Sequence, residues 1–313
     1  MVTFDEILQK SHYIANHSAS VRINKNNVLE IAEKIIKQPI IFSNITMPNE
    51  LSFEEQLLFV FIWGLSDFYH WNDSGEYNDS EALKACYQSA LEHHVNILNI
   101  SVVEQLNIPK YQKILEQNTA CQWCFLPERL QFIQHGIRVL KNKYQGSVFL
   151  FLQECSFDAE QITNALSHEF LGLDDSHFYW GIQMHFLYRA QKITFHLDQI
   201  YFEQTGAHFK NIDKLVMGSD EKTICALGRL GCLNYIPPLQ DNILSGQDIP
   251  AGSPWEVQLR SNAVAVIDKI KKIIFDNIEE KRSPDNIEQV LWLLAQTDFK
   301  EDIPPHKTLT WFY

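Results

Sequence analysis

The stretch from Ser253 to Lys281, SPWEVQLRSNAVAVIDKIKKIIFDNIEEK, is the clearest guide to the fold of this 313-residue chain. Ser253, Pro254 and Glu256 take the N-cap, first and third positions at which these residue types favour the start of a helix. Apolar residues then recur at helical spacing and predict one long helix that ends near Lys281. They are Val257, Leu259, Val264, Ile267, Ile270, Ile274 and Ile278.

Other helix signals lie on both sides of this stretch. Ser52 and Glu55 have capping-box spacing before an apolar run, and Pro127 stands where a first helical turn would begin. Ser283 and Pro284 repeat the start signal after the long helix. Such signals outnumber the strand signals, so the sequence predicts a compact, mainly α fold.

Strand signals are few, and the best covers residues 177–187, where Gly181 favours the turn of a short hairpin. Residues 145–152 are apolar and ambiguous between helix and strand. Residues 236–254 are rich in proline and glycine and are typical of a loop. We therefore predict one domain over residues 1–313, with at most a short β-hairpin and with two lobes around a central cleft as an option.

Composition and charge limit the classes of ligand. The net charge of −13 would repel a nucleic-acid polymer over most of the surface, although a local cation could still hold one phosphate of a mononucleotide. No apolar run reaches the roughly 18 to 20 residues that a membrane span requires. Acidic residues and an amphipathic pattern at the N-terminus do not resemble a signal peptide, so the expected location is the cytoplasm.

Common catalytic and metal-binding signatures are absent from the sequence. We find no Walker A loop, no GxGxxG after a strand, no GxSxG and no HExxH. Cys121 and Cys124 have CxxC spacing, but a structural zinc site needs a second ligand pair, and none is evident. We expect no zinc at this pair, no other metal and no cofactor.

An unusual cluster closes the apolar helix that follows Ser52. Asp67, Phe68, Tyr69, His70 and Trp71 gather carboxylate, aromatic and imidazole groups at one helix end. From the pattern alone, this cluster is consistent with the boundary of a core as well as with a binding site.

At this cluster the chain resembles the queuosine 5′-phosphate N-glycosylase/hydrolases. Asp67, Phe68 and Trp71 are similar to that family's Asn-Phe-x-Phe-Trp segment, and further similarities follow in order along nearly the whole chain. They are Leu126 to Arg129, Arg189 to Gln191, Phe209 to Met217 followed by Asp220, Glu256 with Leu259 and Arg260, and His306 with Lys307 and the terminal Phe312 and Tyr313.

The resemblance implies a helical fold related in outline to DNA glycosylases. It also implies hydrolysis of the N-glycosidic bond of queuosine 5′-monophosphate, which releases queuine for salvage in tRNA modification. Two departures stand out. The family has a Phe-Ala-Asp-Tyr-Arg motif, of which this chain retains only Asp220. The family also has a pair of carboxylates near its C-terminus, and here Glu288 matches the first position while Leu293 replaces the second.

The resemblance also implies site roles. Asp220 is the first catalytic candidate and Glu288 the second, because a carboxylate near the sugar stabilises the positive charge that develops as the bond breaks. The candidates for substrate binding are Asp67, Phe68 and Trp71 at the base, Ser219 in the pocket wall, and Arg189, Lys222 and His306 at the phosphate. By position alone, the pattern favours a helix N-cap for Asp220, a role that can coexist with catalysis, and it is consistent with a first-turn acid for Glu288.

Three alternatives stay open at the level of sequence. The loss of a carboxylate at Leu293 is consistent with a non-catalytic binder of a modified base or nucleoside, whereas the changes around Asp220 also suit a glycosidase for another modified nucleotide. A structural or interaction protein, in which the aromatic residues all belong to the core, is a third class. The sequence leaves the oligomeric state open.

Overall fold

Helices account for 61% of the computed structural model, which describes residues 1–40, 47, 51–72, 77, 80–116 and 123–313. The prediction of a mainly helical fold is confirmed. In chain order the described helices are α1 (Phe4–Asn16), α2 (Lys25–Ile36), α3 (Phe53–Ser66), α4 (Ser80–Glu92), α5 (Ile100–Glu104), α6 (Ile108–Glu116), α7 (Leu126–Lys143), α8 (Val148–Glu154), α9 (Ala159–Glu169), α10 (Tyr188–Thr205), α11 (Glu221–Arg229), α12 (Pro237–Leu244), α13 (Pro254–Ile278) and α14 (Pro284–Thr297).

Capping residues start the helices where the sequence predicts them. The hydroxyl of Ser253 accepts a hydrogen bond from the backbone N–H of Glu256 at the start of α13. Ser52 and Glu55 form a reciprocal capping box at the start of α3. Because the first N–H groups of a helix have no partner within the helix, each cap removes an unsatisfied donor and fixes where the helix begins.

Four short strands form two antiparallel sheets in the described part of the chain. β2 (Ser176–Tyr179) and β3 (Ile182–His185) form the predicted hairpin, and Gly181 in its turn has a φ of +81° that favours glycine. The other sheet pairs β1 (Val21–Ile23) with β4 (Leu233–Tyr235). The sequence does not predict this second sheet, because its strands are short and distant along the chain.

The buried apolar side chains form two large clusters, and α13 contributes to both. The first cluster is built mainly by α1, by the helices from α3 to α10 and by the β2–β3 hairpin, and it includes Val257 and Val264 of α13. The second is built by α2, α11, α12 and α14 with the β1–β4 sheet, and it includes Leu259 and Ile267 of α13. The long helix therefore serves as a shared wall between the two cores.

One local prediction needs correction, and the structure resolves one stretch that the sequence left ambiguous. Residues 236–254 do not form a continuous loop, because Pro237 and Pro238 occupy the first turn of α12, where proline is tolerated. Most of the ambiguous stretch 145–152 is helical, with Ser147 as the N-cap of α8. None of the described helices combines the length and the apolar character needed to cross a lipid bilayer.

Candidate active site

Lys192 on α10 lies at the centre of a cluster of carboxyl groups. Its Nζ donates a hydrogen bond of 3.2 Å to Oδ2 of Asp67, the residue that follows α3, and the hydroxyl of Ser80 donates to the same oxygen at 2.6 Å. Nε2 of His70 lies 3.6 Å from Oδ1 of Asp67. Burial alone would raise the pKa of Asp67, but the charges of Lys192 and His70 outweigh it and hold this pKa well below its usual range.

Asp220, the N-cap of α11, also acts on Lys192 through its charge. Its Oδ1 accepts from the backbone N–H of Thr223 at 3.0 Å, and its Oδ2 accepts from the Thr223 hydroxyl at 2.8 Å. Tyr188, on the first turn of α10, interacts with the Asp220 carboxylate. The structure therefore shows the capping role of Asp220, and the buried carboxylate also faces the cluster.

Glu288 and Glu221 complete the group of carboxyls. Burial raises the pKa of Glu288 well above its ordinary value, and the charges of Asp220 and Asp285 add to this effect. Burial and the charge of Asp220 raise the pKa of Glu221 to about 8. Both groups therefore favour the neutral, protonated form at neutral pH, whereas Asp67 favours the charged form.

Polar atoms without a hydrogen-bond partner collect at this site. Most buried polar atoms in folded proteins are paired, so a concentration of unpaired ones indicates a place for water or a ligand. Among the described residues, the buried and unpartnered atoms of the cluster and its surroundings are Oδ1 of Asp67, Oγ of Ser219, Oε2 of Glu221, Oε1 of Glu288 and Nδ1 of His306.

Trp71 lies at the aromatic edge of the cluster. It forms an isolated β-bridge with Tyr77, and the two ring centroids are 5.3 Å apart. Burial raises the pKa of Tyr77, and the charges of Glu221, Asp220 and Asp67 raise it further, so Tyr77 lies beside the carboxyls. Trp71 is half-buried and is separated from the carboxyls by one aromatic residue.

Phe68 and Arg189 pack beneath the site. Phe68 is fully buried, and its ring lies 4.4 Å from the guanidinium carbon of Arg129 and 4.7 Å from that of Arg189. Arg189 donates to the backbone carbonyls of Gly64, Leu65, Gly172 and Trp311. Both side chains are thus packed in the interior, with the charge of Arg189 acting on Asp67 of the cluster, and their predicted contacts with substrate stay predictions.

Three other predicted residues border the cluster. The carbonyl of Ser219 accepts from Nε of Arg260 at 2.9 Å, which fixes the residue next to Asp220. Nζ of Lys222 lies 4.9 Å from the ring centroid of Trp292, and its charge acts on Glu288. His306 is buried, and burial together with the charge of Arg260 lowers its pKa to about 4, so its imidazole is neutral at neutral pH.

Leu293, which the resemblance aligns with the family's second C-terminal carboxylate, lies outside the cluster. Its side chain is 50% exposed on α14. Five residues along a helix rotate a side chain by about 140°, so positions 288 and 293 face different directions. The loss of a carboxylate at Leu293 therefore leaves the carboxyls around Lys192 in place.

Glu221 and Lys192 are the members of the site that sequence reasoning missed. Glu221 has the pattern of an ordinary acid in the first turn of a helix, and Lys192 that of a polar residue on an amphipathic helix. Nothing in their local pattern distinguishes them from surface residues. Their partners come from other helices, so only the packing of α3, α10, α11 and α14 shows their place.

No group of three or more metal-ligating side chains occurs among the residues that the structure describes. Cys121 lies outside those residues, so the predicted absence of zinc at Cys121 and Cys124 stays a prediction. Asp220, Glu288 and Asp67 are instead arranged around the ammonium group of Lys192.

The chain thus combines a mainly helical fold with an enclosed site of carboxyl groups around one lysine. The sequence profile of the queuosine salvage protein family matches residues 47–313. The chain therefore belongs to the queuosine salvage protein family.

Relatives in this family extend over most of the chain. A queuosine 5′-phosphate N-glycosylase/hydrolase of Nematostella vectensis is 22% identical, and the match covers 97% of each chain. The protein of that name from Bos taurus is also 22% identical, over 97% of this chain and 98% of its own. The one from Sphaerobacter thermophilus is 24% identical, over 76% of this chain and 72% of its own.

Proposed function

We propose that this chain hydrolyses the N-glycosidic bond of queuosine 5′-monophosphate and releases queuine. The observation that carries the proposal is the cluster of Asp67, Asp220, Glu221 and Glu288 around Lys192, in a chain of this family. The relatives named as queuosine 5′-phosphate N-glycosylase/hydrolases support the same reaction.

Asp220 is the group that we assign to the reacting sugar. Cleavage of a ribosyl C–N bond builds positive charge on the sugar, and a preorganised carboxylate stabilises that charge most strongly where water is excluded. Asp220 is 8% exposed, and both of its oxygens are held by Thr223. A carboxylate that is fixed in this way can also orient the attacking water and accept its proton.

We assign the secondary amine of the queuine base, a cation at neutral pH, to the carboxyl-rich side of the site. Glu288 and Asp67 each have a buried oxygen without a hydrogen-bond partner, but the charge of Asp67 is already balanced by Lys192. Glu288 is therefore the better candidate for a charge-assisted hydrogen bond, in which it would lose its proton as the amine binds. Trp71 is the candidate for stacking on the base because, unlike Phe68, it is only half-buried.

Lys222 is the best candidate for the 5′-phosphate among the predicted cations. Lys222 is a partly exposed residue, its ammonium group lies beside the Trp292 ring, and its charge acts on Glu288 at the margin of the cluster. The two terminal nitrogens of Arg189 already donate to four backbone carbonyls, and His306 is neutral, so Lys222 has the most available positive charge of the three.

Two wider assignments follow from the same proposal. The substrate is a small modified nucleotide rather than a nucleic-acid polymer, because the net charge of −13 would repel a polymer. The reaction is assigned to the cytoplasm. We also propose one domain of two lobes, since Asp67 and Lys192 come from elements of the first core and Asp220 and Glu288 from elements of the second.

The test is to incubate purified protein with queuosine 5′-monophosphate, queuosine and ordinary nucleotides, and to measure free base by chromatography. We expect release of queuine from the 5′-monophosphate, and slower or no release from the others. Tight binding of the base without release from any substrate would contradict the proposal and would favour a non-catalytic binder.

A further inference from the structure

Glu221 is a buried carboxyl that the proposed reaction, as described so far, leaves unused. It is the first residue of α11, next to Asp220, and only 3% of it is exposed. Its Oε2 is buried and has no hydrogen-bond partner among the described residues, whereas its own backbone N–H interacts with the carboxyl group. An acidic side chain at a helix start is usually solvated, so an enclosed one with an unused oxygen calls for a ligand as its partner.

The surroundings of Glu221 favour a bound proton. The titratable and charged groups that face Glu221 come from four parts of the fold. They are Asp220 before α11, Lys192 on α10, Asp67 and Tyr77 in the segment after α3, and Tyr313 at the C-terminus. Burial and the charge of Asp220 favour the protonated form more strongly than Lys192 opposes it. Glu221 is therefore a hydrogen-bond donor in a cluster where Asp67 is a charged acceptor.

Two neighbouring carboxyls in different protonation states are the arrangement that acid–base catalysis requires. Departure of a base from a ribosyl carbon leaves an electron pair on the base nitrogen, and a proton supplied at that moment lowers the barrier. Asp220 serves the sugar and the water, so it cannot supply that proton in the same step. Glu221 adjoins Asp220. Its Oε2 has no hydrogen-bond partner among the described residues, so a proton on this oxygen is available for transfer.

We propose that Glu221 is the general acid that protonates the departing base, an inference that rests on the proposed function. As the C1′–N bond breaks, its electron pair goes to the base, and the base takes the proton from Oε2 of Glu221. The oxygen of water bonds to C1′ and one proton of that water passes to Asp220. Transfer of this proton from Asp220 to Glu221, directly or through solvent, restores both groups, so that the net reaction consumes one water.

The test compares wild type with Glu221→Gln on two substrates. Gln keeps the size and a hydrogen-bond donor but has no proton to give. We expect release of queuine from queuosine 5′-monophosphate to fall by about 100-fold to 10,000-fold. With 4-nitrophenyl riboside 5′-phosphate, whose leaving group departs without protonation, we expect turnover near that of wild type, whereas Asp220→Asn should lose both activities.

The pH dependence of wild-type kcat/KM provides a second measurement that does not depend on any variant. A general acid must be protonated, so kcat/KM should fall as the pH rises through about 8, the pKa to which burial and Asp220 raise Glu221. Glu221→Gln should lack this alkaline limb, and Glu203→Gln, a control at an exposed carboxyl on α10 that has no part in the proposed site, should keep it.

The outcomes separate the two proposals. If wild type releases no base from any nucleotide, the proposed function fails and this inference fails with it. Suppose that wild type is active and that Glu221→Gln either retains full activity or loses activity on both substrates equally. Only the role of Glu221 is then overturned. If Glu288→Gln lost the alkaline limb and Glu221→Gln kept it, the proton would belong to Glu288. That result would also overturn the role of Glu221.

Discussion

Asp220 combines two roles in one side chain, since it caps α11 and presents negative charge to the site. Asn has nearly the same size and keeps one oxygen for the backbone N–H of Thr223, but it has no charge. We expect Asp220→Asn to lower base release by about 100-fold to 1,000-fold, or about 3 to 4 kcal/mol of barrier, with little change in substrate binding.

Melting temperature and turnover, measured on the same Asp220→Asn preparation, distinguish the two roles. Loss of a cap alone costs about 1 kcal/mol of stability and leaves the folded fraction active. A lowered melting temperature with unchanged turnover would show that Asp220 is only a cap. Glu288 would then become the catalytic candidate.

His306 predicts a dependence of stability on pH. Burial lowers its pKa in the folded protein to about 4, against 6.5 as the ordinary value. Between these two pH values the unfolded chain binds a proton that the folded chain does not, so the free energy of unfolding falls as the pH falls from 6.5 to 4. The contribution of this one group is on the order of 3 kcal/mol.

Urea unfolding of His306→Gln over this pH range checks the prediction. The slope of the free energy of unfolding against pH should be shallower than in wild type. His94→Gln is the control, because His94 is exposed and its replacement should leave the slope unchanged. An identical slope in His306→Gln and wild type would contradict the prediction.

At the scale of the element, the loop before α11 has little freedom. Gly218 has a φ of +101°, and a Cβ at this position would lie 2.6 Å from Cγ1 of Ile267 on α13. Alanine would therefore add backbone strain of about 1 to 3 kcal/mol and would also push against the long helix. We expect Gly218→Ala to lower both the melting temperature and kcat, because Asp220 is only two residues away.

Gly206→Ala is the matched control for Gly218→Ala. Gly206 also has a positive φ, +73°, at the end of α10, but a Cβ there meets no atom within 4 Å. Its replacement should cost about 1 to 2 kcal/mol and leave kcat unchanged. If both variants lose the same stability and neither loses activity, the loop before α11 does not position Asp220.

At the scale of the whole molecule, Arg260 joins distant parts of the chain. This fully buried residue of α13 donates to Asp175 beside β2 at 2.9 Å, to Glu256 one turn earlier at 3.1 Å, and to the carbonyl of Ser219 before α11. Burial would lower the pKa of Arg260, but the charges of Asp175 and Glu256 raise it above its ordinary value.

Arg260→Met should destabilise the protein by about 3 to 5 kcal/mol, because it leaves buried carboxylates without their partner. Guanidinium or urea unfolding measures this loss. The control is Lys281→Met, which removes an ion pair between the exposed Lys281 and Asp213 that is expected to contribute about 0 to 1 kcal/mol. Equal effects of the two substitutions would show that the buried network contributes no more than a surface pair.

Helix positions were accessible from the sequence because they depend on near neighbours. Ser253, Pro254 and Glu256 start α13, and Gly181 turns the β2–β3 hairpin, through contacts within a few residues. The same local reasoning failed at Pro237, where proline starts a helix as readily as it marks a loop. Local reasoning did not identify Asp67, Asp220 and Glu288 as site residues. They became candidates only through their resemblance to the family's motifs.

The sequence by itself determined the helical class of this protein, several helix starts and, through the family resemblance, three of the four carboxyls that we place around Lys192. Only the tertiary structure decided which side chains are enclosed: it buries Phe68 between two arginines, directs Arg189 to backbone carbonyls and encloses Glu221 beside Asp220. The physical reason is that capping and periodicity act over a few residues, whereas burial and charge depend on groups that only the packing of distant helices brings together.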